Sequence, residues 1–177
     1  MQNKSYFKEY KDIEEIIDAK SLSFKYHGKN IQFDHFLLKE FLNILEHENT
    51  FRLLLHNSTQ SDLHNMVIAM DKSRYVFPHK HEKSESYQII EGEMLLIYFE
   101  ENGEIEKFVK LSQNSTLISR VDAGQFHGII PLSGYVVYHE TRIGPFEKDK
   151  DSIFSIWSGE NRVAYMKKLL NRYKELV

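Results

Sequence analysis

The sequence predicts a mainly β protein, an antiparallel sandwich or small barrel with additions at both ends. Three observations predict it. Between about Phe51 and Trp157 short β-like runs recur at spacings of roughly 8 to 12 residues, separated by turn signals. No segment of helical period interrupts them. On each side of this region lies one amphipathic stripe with apolar residues three and four apart.

The bulk numbers agree with one folded domain. The chain has 177 residues, 41% of them apolar and 28% charged, with 12 Phe and 10 Tyr to fill a core. The formal charge is −3, and neither sign forms a block, so no nucleic acid and no anionic membrane surface is expected as a partner. Cysteine is absent, which excludes disulfides and thiolate ligands and leaves nitrogen and oxygen donors for any metal. The start, "MQNKSYFKEYKDIEE", lacks an apolar signal core, and no window approaches 18 apolar residues, so the expected location is cytoplasmic.

Taken in order, "KDIEEIIDAK" reads as a helical turn or two, and "SLSFKYHGKNIQFD" as a short hairpin around His27-Gly28. "DHFLLKEFLNILEHE" predicts a helix with Asp34 as N-cap and Leu37, Leu38, Phe41, Leu42 and Leu45 as its apolar face. Strands follow in "FRLLLH", "NMVIAM", "YVFPHKH", "YQIIEG", "MLLIYFE", "EKFVKL", "STLISR", "FHGIIPL" and "GYVVYHETR", with turns at Glu101-Asn102-Gly103, Asp122-Ala123-Gly124 and Ser133-Gly134. "SGENRVAYMKKLLNRYKELV" predicts a closing helix capped by Ser158, with Val163, Met166, Leu169, Leu170 and Tyr173 as its stripe. Residues 1–50 are thus an extension packed on a barrel of residues 51–158, and residues 159–177 form a terminal helix.

"FPHKHEKSESYQIIEGE" carries the chemistry. On a strand His79 and His81 point the same way, so two imidazoles converge. Glu85 falls on the same face but too far along an unbroken strand to share an ion with His79; a bend in the polar "EKSE" would bring it back. Inward residues of different strands meet in a barrel, and His127 of "DAGQFHG" is the candidate fourth ligand. Three imidazoles and a carboxylate suit one divalent ion of Fe, Mn, Ni, Zn or Co. Without such convergence the pair would be surface histidines on an edge strand.

These residues resemble the two cupin motifs. "HKHEKSESYQIIEG" is similar to the first, H-x-H, three residues, E, six residues, G, from His79 through Glu85 to Gly92, and "GQFH" to the core of the second at Gly124 and His127. Ser73, Thr116, Asp122 and Pro131 stand where the motifs carry glycine, glycine, proline and asparagine, which affects turn shape and no ligand. With "RLLLH", "NMVIAM", "YHETRIGPF" and "DSIFSIWSGE", the chain from about Phe33 to Gly159 resembles the WbuC family of cupin-fold metalloproteins. The resemblance implies a double-stranded β-helix barrel, a bound metal, a homodimer, and a setting in surface-polysaccharide biosynthesis of the O-antigen type.

Other residues are candidates for the ligand pocket. Arg52 and His56 share a face and suit a phosphate or carboxylate and a hydroxyl. Glu140 and Arg142 share another, Glu140 as a general base or partner of a histidine ligand and Arg142 as a binding group. Tyr87 and Tyr98 are candidate proton donors, or core aromatics. "EKDKD", Glu147 to Asp151, reads as a solvated loop; His139 reads as solvent-facing, and His27, His35, His47 and His64 as surface or cap residues. The expected function is a metal-dependent sugar or nucleotide-sugar isomerase or epimerase. A non-haem iron dioxygenase and a non-enzymatic sugar-binding or assembly module are the rivals.

Overall fold

A computed structural model describes residues 6–16, 21–147 and 151–177. In chain order the elements are β1 (Ile13–Glu15), β2 (Ser23–Tyr26), α1 (His35–Leu45), β3 (Thr50–Leu54), β4 (Leu63–Asp71), β5 (Val76–Lys80), β6 (Glu85–Phe99), β7 (Ile105–Ser112), β8 (Ile118–Val121), β9 (Phe126–Ile143), β10 (Ile153–Phe154) and α2 (Arg162–Lys174).

Two long strands build the barrel. The first part of β9 pairs with β5 and with the second part of β6, while its later part pairs with β4 and with the first part of β6. β6 continues outward to β8 through its first part and to β7 through its second. Each long strand therefore belongs to both walls of a double-stranded, cupin-like barrel, the fold that the motifs imply.

This corrects two expected breaks between strands. "YQIIEG" and "MLLIYFE" are one strand, as are "FHGIIPL" and "GYVVYHETR". Gly92 and Ser133-Gly134 are places where the β6–β9 register shifts, between Ile89 and Glu91 and between Gly92 and Met94. A bulge uses the same residue types as a turn, so the punctuation looks alike in sequence. Gly92 has φ +80°, and a Cβ there would collide with the Tyr135 carbonyl oxygen. Gly92→Ala is expected to destabilise the protein by about 1–2 kcal/mol, read as a lowered urea midpoint at unchanged slope.

The apolar run of β6 serves two cores at once. Met94, Leu96 and Tyr98 face inward with Ile129, Val136 and Tyr138. Leu95 and Ile97 face outward onto Met166 and Leu169 of α2. A strand buried on both faces reads as a continuous hydrophobic run, which is what "MLLIYF" is. A third cluster joins Leu37 and Phe41 of α1 to Phe24, Phe51, Leu53 and Val67.

Helix α1 forms as expected: the Asp34 carboxylate accepts the Leu37 N–H at 2.9 Å. α2 begins later than expected, because Asn161 caps it by accepting from Ala164 N, while the Ser158 hydroxyl is engaged with Ser155. At the N-terminus no hairpin forms at His27-Gly28. β2 instead pairs antiparallel with β1 and parallel with β3, so its edges are filled by other segments. β1 occupies the start of the predicted helical turn; residues 17–20 lie outside the described ones. Among the described residues no helix is long and apolar enough to cross a membrane.

Candidate metal centre and its cavity

The four predicted donors come together. His79 is on β5, His81 just beyond it, Glu85 begins β6 and His127 is the second residue of β9. Strand pairing sets His79 directly opposite His127. A bend at residues 82–83 redirects the chain, so Glu85 stays beside the histidines, its Oε2 3.4 Å from His81 Nε2. One ligand atom from each residue lies within 4.8 Å of the others, and all four residues are buried.

Hydrogen bonds on the far side of each ring fix its tautomer. His79 Nδ1 is 2.9 Å from the Phe77 carbonyl oxygen, and His127 Nδ1 is 3.1 Å from that of Gln125. His81 Nδ1 meets the Asp151 carbonyl oxygen. A carbonyl oxygen only accepts, so each Nδ1 carries the proton and each Nε2 presents a lone pair to the centre. The consequence is a crowd of acceptors: His79 Nε2 is 2.9 Å from His81 Nε2, and His127 Nε2 is 2.6 Å from Glu85 Oε1. Glu85 Oε2 is buried with no hydrogen-bond partner among the described residues. Burial, reinforced by His127 and His81, pushes His79 down to about 3 and burial also lowers His81, so protonation does not relieve the contact between these two rings. A divalent cation does, and the donor set fits one.

Tyr87 stands behind the carboxylate. Its buried hydroxyl donates to Glu85 Oε1 at 2.6 Å and sits 3.1 Å from His127 Nε2. Burial and the adjacent Glu85 raise it well above the ordinary tyrosine range. Its proton is committed to orienting Glu85. Tyr98 is placed elsewhere: its hydroxyl meets Ser119 Oγ at 2.7 Å and donates to the Arg120 carbonyl at 2.8 Å, outside the cavity lining.

A cavity of about 240 Å³ opens beside the histidines, lined among others by His79, His81, Tyr87, Arg52, His56, Glu140 and Arg142. Cross-strand register explains the gathering. The pairs Glu85↔Arg142, Tyr87↔Glu140, His64↔Arg142 and Met66↔Glu140 place these side chains in rows across β6, β9 and β4. Burial and the charge of Glu85 raise the Glu140 carboxyl to about 7, against the opposing pull of Arg142 and Arg52. Arg142 is ion-paired with Asp151.

Two participants escape sequence reasoning. His64, expected at the surface, is buried and stacks on His56 with ring centroids 4.1 Å apart. Its only sequence signal is the register of β3 with β4, in which Leu54 meets Met66 and the next inward residues are His56 and His64. Asp151, expected in a solvated loop, is largely buried against Arg142 and closes over His81. Nothing in "EKDKD" signals that; residues 148–150 lie outside the described ones. His139 is half-buried, and His27 pairs with Glu14 at the surface.

The profile of a domain of unknown function (DUF6016) matches residues 50–111, about a third of the chain. No curated protein matches the sequence. Among solved structures the chain is similar to protein SO0799 from Shewanella oneidensis, at 14% identity and TM-score 0.56 over 66% of this chain and 84% of that one. KdgF from Halomonas sp. has 16% identity and TM-score 0.46 over 57% of this chain and 84% of its own. A cupin superfamily protein, DSY2733, from Desulfitobacterium hafniense has 14% identity and TM-score 0.44, over 53% and 76%. The likeness to SO0799 is one of fold.

Proposed function

We propose that the protein is a metal-dependent cupin that isomerises or epimerises a small, polar, carbohydrate-type ligand in the 240 Å³ cavity. The observation that carries this reading is the set of inward lone pairs of His79, His81, Glu85 and His127, of which His79 and His81 line the cavity. A divalent ion held there would supply Lewis acidity toward a ligand oxygen.

The chain's own groups supply the rest. Glu140 lines the same cavity, and a carboxyl held near 7 takes up and returns a proton at neutral pH, as a base beside a carbonyl must. Tyr87 keeps Glu85 in place and does not itself exchange a proton. Asp151 holds Arg142 at the rim and, through its carbonyl, keeps His81 in the tautomer that faces the centre. The carbohydrate setting rests on the resemblance to the WbuC family.

Protein purified without a histidine tag is expected to contain close to one divalent ion per chain by plasma mass spectrometry. His79→Ala is expected to lose the ion together with binding to a panel of sugars and nucleotide-sugars. A metal-free parent whose His79→Ala form binds the panel equally well would overturn the reading. Oxygen uptake dependent on added Fe(II) would keep the centre and change the reaction class to dioxygenation.

A further inference from the structure

We infer that the metal cavity continues into a second chamber beyond Arg52 and Glu140, and that its ligand is a two-part anionic compound whose oxyanion group sits on Arg52. This rests on the reading above and narrows its substrate class.

The geometry comes from β3 and β4. Their inward residues alternate in matched pairs: Thr50 with Met70, Arg52 with Ile68, Leu54 with Met66. The His56–His64 stack continues the series at one end. At the other end lies a separate chamber of about 210 Å³, reached by Arg74 and Tyr75. The two chambers share Arg52, Ile68, Val76 and Glu140 in their linings. From Thr50 to His56 an extended chain spans roughly 20 Å, about twice what a single sugar ring needs to reach the metal ligands. Either chamber alone falls below the 300 Å³ or so at which ligand sites begin, and the two together exceed it.

The charge at the waist selects the ligand. Arg52 is half-buried, and its Nε donates to Ser23 Oγ at 3.0 Å. No carboxylate pairs with it or with Arg74 among the described residues. Arg142, by contrast, already has Asp151. A guanidinium whose η N–H groups hold no partner among the described residues, set inside a cavity, matches phosphoryl or carboxylate oxygens in a planar fork. Arg74 adds a second cation on the outer side, which suits a ligand whose body continues past the oxyanion.

The test is calorimetric binding to metal-loaded protein with four probes: glucose, glucose 1-phosphate, glucuronate and UDP-glucose. Glucose 1-phosphate or glucuronate, each with one anionic group, is expected to bind tenfold or more tightly than glucose, and whichever does names the oxyanion. Arg52→Met is expected to erase that advantage at unchanged metal content, and Arg52→Lys, which keeps the charge and loses the fork, to retain part of it. Arg74→Gln is expected to weaken UDP-glucose severalfold while leaving the two small anions alone. Equal affinity for glucose and every anionic probe, no measurable binding of any anionic probe, or indifference to both Arg52 variants would overturn the inference. So would an Arg74→Gln protein that binds UDP-glucose like the parent. A parent that holds metal but ignores probe charge sinks only this inference; one that binds anions through Arg52 without metal sinks only the metal reading.

Discussion

His127→Ala is expected to lower stability by about 3 kcal/mol or more and to abolish the response of the protein to divalent metal. The side chain is fully buried and meets Glu85, Tyr87 and the Gln125 carbonyl. Removing it takes away a ring packed against Tyr87 and opens a buried cavity the size of the imidazole. For a chain of this length such a loss corresponds to a melting temperature lower by roughly 6–12 °C. In the parent, metal at 100 times its dissociation constant is expected to add about 2.7 kcal/mol, because the unfolded chain does not assemble the four donors. Thermal melts with and without chelator check both statements. A variant that melts like the parent and is still stabilised by metal would count against the assigned ligand set.

Glu140→Gln is expected to stabilise the metal-free protein at pH 8 and to change it little at pH 4. Burial, with Glu85 nearby, raises the Glu140 carboxyl from its ordinary 4.5 to about 7. A folded-state value above the unfolded one means that the stabilising contribution of the protonated acid is complete below about 4.5. It is lost as pH rises through about 7. A separation of that size corresponds to about 3 kcal/mol at most, which partial exposure reduces to about 2. Glutamine has no such loss, so the advantage of the variant grows between pH 4.5 and 7 and then levels off. A cation on Glu85 cancels the charge that helps raise Glu140, so metal loading is expected to lower its titration midpoint. Urea unfolding at several pH values, in chelator and in metal, measures both shifts. A pH-independent difference between parent and variant would show that Glu140 titrates normally.

Much of the centre was legible because its spacing is local. The alternation of a strand puts His79 and His81 on one face, and both motifs retain their ligands. Glu85 was awkward in sequence because its return depends on a turn whose polar residues do not reveal its direction. His64 and Asp151 were hidden for a different reason: their burial is set by partners across the sheet or along a distant segment, His56 in one case and Arg142 in the other. Tyr98 reads in sequence as either a proton donor or a core aromatic, and it packs in the core with its hydroxyl satisfied on β8. At the N-terminus the local hairpin signal lost to pairing with β1 and β3, since a short edge segment follows whichever partner fills its ladder.

The register shifts in the two long strands carry a further consequence, visible in the parity of residue numbers. On β6 the inward residues are Glu85, Tyr87 and Ile89 before the shift, and Met94, Leu96 and Tyr98 after it. On β9 they are His127 and Ile129 before, and Val136, Tyr138, Glu140 and Arg142 after. Odd becomes even in both strands at the same level of the barrel. Each bulge is thus a half-period phase shift, and the two are matched. Loss of one residue at either bulge would leave one end of that strand in phase and turn the other inside out, since a one-residue slip exchanges faces. Along β9 this sets His127 of the four-donor cluster on one side of the shift and the cavity-lining Glu140 and Arg142 on the other.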